Sequence, residues 1–135
     1  MTTAIEYPDL ELWAAGYLRA GLASWSATVG REFPAPGATF GYAVVVRDDS
    51  GADQQFTASR LLAVTVIGPG GEHYQAGRCA ERVAALLRIS AGPGADTPVA
   101  RCRSVRGPYA VPSNTGRPEL YLTADLIVTG SPITL

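Results

Sequence analysis

The stretch Thr57-Ala58-Ser59-Arg60-Leu61-Leu62-Ala63-Val64-Thr65-Val66-Ile67, with Gly68-Pro69-Gly70-Gly71 and then Glu72 to Ser90 behind it, decides the fold class. Residues 57–67 read as a strand, with Leu62, Val64 and Val66 on one face and Leu61, Ala63, Thr65 and Ile67 on the other. Both faces are largely apolar, as expected of a central strand covered on at least one side. The Gly-Pro-Gly-Gly break ends it. Beyond the break Ala76, Cys79, Ala80, Val83, Leu86 and Leu87 recur at i, i+3, i+4, i+7, which predicts an amphipathic helix over 72–90. Arg78, Arg82 and Arg88 fall on its other faces.

Upstream, residues 1–8 read as a loose lead-in ending at Pro8. Asp9, with Glu11 in the first turn, suits a helix start, and Leu10, Ala14, Tyr17, Leu18, Gly21 and Trp25 recur at helical spacing. This predicts a helix over 9–24, with Trp13, Arg19 and Ala20 off its apolar stripe. Pro34, Pro36 and Gly37 forbid its continuation. Residues 40–46 (Phe-Gly-Tyr-Ala-Val-Val-Val) predict a strand, and Arg47-Asp48-Asp49-Ser50-Gly51 a turn.

Downstream, residues 91–96 read as a surface loop, and 98–106 and 119–130 as strands. The last alternates, with Leu120, Leu122, Ala124, Leu126 and Val128 against Tyr121, Thr123, Asp125 and Thr129. The connection 107–118, rich in proline and glycine and carrying Asn114, is long for a small domain, and such connections are often functional. The element order predicts one α+β domain over 1–135: a small, mainly antiparallel mixed sheet with two helices packed on it.

At 135 residues the chain fits one core, needing neither a disulfide nor a metal staple. Its 17% charged residues are few, and a net charge of −1 argues against a polyanion-seeking protein. No apolar run approaches the ~18–20 residues that cross a bilayer, and the N-terminus does not read as a secretory signal, so Cys79 and Cys102 are expected as buried reduced thiols.

Motifs for chemistry are sparse. The strand–GPGG–helix junction has the outline of a phosphate loop. It lacks the Lys and Ser/Thr of a P-loop, and it carries His73 where a dinucleotide fingerprint needs glycine. His73, the only histidine, has no nucleophile elbow or metal-ligand spacing around it, so neither a catalytic group nor a cofactor is expected. Asp48-Asp49 lacks the rest of a calcium loop and reads as a solvated hairpin tip. Simple alternation puts Arg101 and Arg103 on one strand face and Arg106 on the other. These arginines suit an acidic or phosphate-bearing partner as well as they suit a solvated sheet. Sequence-specific nucleic-acid recognition is not expected.

The segments taken in order resemble a family. They are the acidic-start helix 9–19, Phe33-Pro34, Val44-Val45-Val46-Arg47-Asp48-Asp49-Ser50-Gly51, the strand to Ile67, and Ala80-Glu81-Arg82-Val83-Ala84-Ala85-Leu86-Leu87. Val105-Arg106-Gly107-Pro108-Tyr109 and Gly116-Arg117-Pro118-Glu119-Leu120-Tyr121-Leu122-Thr123 complete the series, which spans nearly the whole chain. In this order it resembles the tail terminator proteins of long-tailed actinobacterial phages, themselves similar in fold to the lambda tail terminator. It departs at Asp49-Ser50-Gly51, where adjacent glycines are usual.

The resemblance implies a non-enzymatic virion protein. Its copies would form a hexameric ring that caps the tail tube, meets the major tail protein on one side and a head-completion (neck) protein on the other, and lets DNA pass without sequence-specific binding. Assembly would take place in the host cytoplasm, and no membrane would be involved. The interface residues expected are Arg47, Asp48 and Asp49 at the 47–56 tip, Arg101, Arg103 and Arg106 on the strand, and Tyr109, Asn114 and Arg117 in the long connection. Arg117→Ala is expected to spare the monomer fold. A head-completion stopper or connector, and a small ligand-binding or enzymatic domain using His73, remain open alternatives at this point.

Overall fold

A computed structural model describes residues 3–35, 37–54, 56–92 and 97–134. The elements are β1 (Thr3–Glu6), α1 (Leu10–Gly21), a 3-10 turn (Ala23–Trp25), β2 (Thr28–Gly30), β3 (Ala43–Asp48), β4 (Thr57–Ile67), α2 (His73–Arg88), β5 (Val99–Val111), β6 (Glu119–Thr129) and β7 (Ser131–Thr134). Five strands form one sheet in the order β2-β3-β4-β6-β5, antiparallel except for the parallel β2–β3 pair. Both helices pack on one face of this sheet, where Leu10, Ala14 and Leu18 of α1 and Cys79, Val83 and Leu87 of α2 share a core with Val44, Val46, Leu62, Val64, Leu122 and Leu126. The fold is the expected α+β architecture.

Local chemistry sets the element ends. Asp9 caps α1 by accepting a hydrogen bond from the Leu12 amide at 3.0 Å. That bond, helped by Arg31, holds the Asp9 carboxyl below the usual range. The predicted 9–24 helix stops earlier, at Gly21, and tightens into the 3-10 turn before Ser26 takes a positive φ. Trp13, expected off the apolar stripe, stacks on Tyr17 at 5.0 Å between ring centroids and packs against the core. Tyr17 in turn donates its hydroxyl to the Leu86 carbonyl at 2.6 Å, tying α1 to α2.

β4 spans the residues predicted for it and is central, between β3 and β6. The expected strand 40–46 is shifted to 43–48, so Arg47 and Asp48 end a strand instead of opening a turn. The 31–42 crossover leads from β2 to its parallel neighbour β3, and Pro34, Ala38 and Phe40 border Ala43, Val45 and Ile67 on the face away from the helices. That cover explains why Ala43–Val46 are all buried. Pro36 lies outside the described residues, as does most of the predicted 91–96 loop.

Two expectations fail. The lead-in is a strand: Thr3–Glu6 pairs antiparallel with Ser131–Thr134 in a separate ribbon, and Tyr7 is anchored by its hydroxyl to the Thr57 carbonyl at 2.8 Å. A pairing between the two chain ends leaves no local periodicity to read. The 107–118 connection is also shorter than expected, because β5 runs on through Val111. Gly107 sits there at φ +93°, and a Cβ on it would meet the Tyr121 carbonyl oxygen at 2.7 Å, so this position needs glycine.

Candidate assembly surface

The sheet face away from the helices is read from the register. Arg101 lies opposite Ile127, Ser104 opposite Asp125, Arg106 opposite Thr123 and Tyr109 opposite Tyr121. Tyr121 is in turn opposite Thr65, and Asp125 opposite Leu61. Register shifts between Val99 and Arg101, Cys102 and Ser104, and Arg106 and Tyr109 reset the alternation of β5. Each inserted residue turns the following side chains to the other face. The expectation that Arg106 opposes Arg101 and Arg103 is therefore corrected. Arg101 and Arg106 share the open face, and Arg103, at a bulge, reaches the same side to bond Asp125 at 3.3 Å.

The surface so formed mixes charge and apolar area. Leu61, Tyr109 and Val111 are exposed, at 39%, 52% and 38%. The Tyr109 and Tyr121 rings meet edge-on with centroids 5.7 Å apart. Burial, then Asp49, then Tyr109 push the Tyr121 hydroxyl above its ordinary value, so it remains a neutral donor at physiological pH. Arg47 projects from β3 onto this face, in register with Ala63. An open antiparallel face with exposed aromatic, aliphatic and arginine side chains has the composition of a contact surface.

The remaining expected residues lie elsewhere. Asp48 points to the helix side, where its carboxylate accepts from the Ser50 amide at 2.7 Å and lies 3.9 Å from Arg60. Its own amide donates to Glu11 at 2.8 Å, so Asp48 braces the tip internally. Asp49 is exposed at the tip, and Asn114 is exposed on the loop at the opposite end of the sheet.

Arg117 is an internal clamp. Its Nε donates to the Gly68 carbonyl at 2.9 Å and its Nη2 to the Phe40 and Gly41 carbonyls at 3.0 and 2.6 Å. Its guanidinium lies 3.7 Å over the Phe40 ring. This side chain ties the loop to the β4–α2 junction and the crossover, beside the backbone bond from the Gly68 amide to the Pro118 carbonyl at 3.0 Å. Its removal therefore bears on the fold, contrary to the expectation from sequence.

His73 opens α2 and lines a hollow with Val111, Ser113 and Gly116. Among the described residues no group of three or more His, Cys, Asp and Glu side chains could hold a metal ion. Cys79 is buried as expected, whereas Cys102 is only half-buried at the sheet edge.

No protein-family model and no curated protein matches the chain. Among solved structures it resembles a chain in the virion of a native gene transfer agent particle, with a TM-score of 0.52 and 21% identity over 87% of this chain and 94% of that one. The likeness is one of fold.

Sequence reasoning set Leu61 and Tyr121 on the second faces of their strands but did not name them as contact candidates, because the pairing that brings them beside Arg106 and Tyr109 is a matter of register. No helix among the described residues is long and apolar enough to cross a membrane.

Proposed function

We propose that this chain is a structural virion protein, a tail terminator whose hexameric ring caps the tail tube, stops its growth and presents the docking surface for head-completion proteins of the neck. The observation that carries the reading is the fold likeness to a virion chain, which takes in nearly the full length of both. The resemblance of the ordered segments to tail terminators supports the finer role. The open face bearing Arg101, Arg106 and Tyr109 supplies contact area, and the 112–118 loop, at the end of the sheet away from the β3–β4 tip, is the segment that would meet an axial partner.

The test is electron microscopy of particles from a phage with this gene deleted. Overlong, headless tails support the terminator. Tails of normal length beside filled or leaking heads would move the protein to head completion, and unchanged particles would end the virion reading.

A further inference from the structure

The net charge of −1 hides a segregation. Residues 1–54 hold seven carboxylates and three arginines, whereas residues 55–135 hold five carboxylates and eight arginines, giving −4 and +3. The fold turns this sequence asymmetry into a spatial one. The first segment builds α1, β2 and β3, one lateral half of the sheet, and the second builds β4, α2, β6 and β5, the other half.

At the β2–β3 side, Arg31 bonds Asp9 and Glu11, and the Asp48 amide bonds Glu11, so these groups gather at one corner. Arg60 crosses from β4 to Asp53 at 2.7 Å and neutralises part of the excess. Glu32 and Asp49 remain exposed there with no ion pair among the described residues. At the β5 side the reverse holds. Arg101, Arg103 and Arg106 project from the edge strand, and Arg82 and Arg88 are exposed on α2, which packs against β5. Of these only Arg103 has a carboxylate partner among the described residues.

We propose that the two lateral edges of the sheet are the two halves of one head-to-tail contact, the arginine edge at β5 and α2 of one copy meeting the acidic corner at α1, β2 and the β3–β4 tip of a second copy. A two-fold contact through either edge would set like charge against like, which disfavours an isologous dimer. A heterologous contact satisfies both edges at once and repeats. The bulges and arginines of β5 also disfavour uncontrolled edge-to-edge strand pairing. This deepens the ring proposed above and rests on that reading only for closure into a ring.

The experiment is sedimentation velocity on the full chain, with negative-stain microscopy of the same samples, from low to high sodium chloride. Self-association should weaken at least tenfold between about 0.05 and 0.5 M salt, as the Debye length shortens. Arg101→Glu/Arg106→Glu and Glu32→Arg/Asp49→Arg should each be monomeric, with circular dichroism and melting like the parent. Mixed in equal amounts, they should assemble again, because each reversed edge finds its reversed complement. If a variant fails to fold, Arg101→Gln/Arg106→Gln takes its place and should weaken association without abolishing folding.

A parent chain monomeric at low salt, assembly indifferent to salt, or a mixture that stays monomeric would each overturn the proposal. Closed rings indifferent to salt and charge reversal would overturn it while leaving the ring reading intact. Salt-sensitive open chains that the mixture restores would support the contact and remove the ring.

Discussion

Ser50 takes φ +68°, with its amide on the Asp48 carboxylate and its carbonyl accepting from the Leu61 amide. The tip thus adopts the left-handed turn that glycine usually supplies, with serine in its place. That conformation costs an L residue about 1–2 kcal/mol, against about 0.5–1 for the added freedom of glycine in the unfolded chain. Ser50→Gly should therefore raise stability by about 0.5–1 kcal/mol in denaturant titration, with the backbone bonds kept. Arg117→Ala should lower it by about 2 kcal/mol, because a charged fork leaves three carbonyls. Arg117→Lys should recover little, since an ammonium cannot span the same acceptors. Cys79 is fully buried, and burial pushes its thiol up to about 11 from 9.0. The folded state then holds a proton that the unfolded chain releases, so stability should fall as pH rises from about 9 to 11. Cys79→Ala should flatten that part of the pH–stability curve.

At the scale of elements, α2 shows how a periodicity can be right while its margin is misplaced. Ala84 and Leu87 are fully buried, while Leu86, counted in the stripe, lies half-buried over Gly21 of α1. Leu87→Ala should cost about 2–5 kcal/mol, and Leu86→Ala distinctly less, by midpoint shifts in urea. Equal losses would mean that the helix is rotated about its axis from this position. β5 shows the opposite case. Its period-two reading fails at the bulges, and only Gly107-Pro108 marks one of them in the sequence. The arginine face is consequently a property of pairing with β6, which local composition does not encode.

Across the whole molecule, cohesion is uneven. β4 and β6 pair along their full lengths in the middle of the sheet, with Leu62, Val64, Leu122 and Leu126 fully buried. The β1–β7 ribbon stands apart from that sheet, and every residue of β7 is exposed. Two-stranded ribbons are marginal by themselves. Native-state hydrogen exchange should find β4 and β6 amides slowest, opening only with global unfolding, and β1 and β7 amides fastest among the strands. Slow exchange at β7 would mean that another surface covers it.

The sequence by itself determined the α+β class, the central strand 57–67 and its junction with α2, and the separation of charge between the two halves of the chain. Each is a matter of local periodicity or composition, which a linear reading captures. Tertiary structure alone decided the pairing of the chain ends, the turning of Arg101 and Arg106 onto one face, and the inward role of Arg117. These depend on register, bulges and carbonyls distant along the chain, such as Gly68 and Phe40 for Arg117. It also placed the acidic and basic segments on opposite sheet edges, because β2 and β3 of the first segment lie together at one side of the sheet and β6 and β5 of the second at the other.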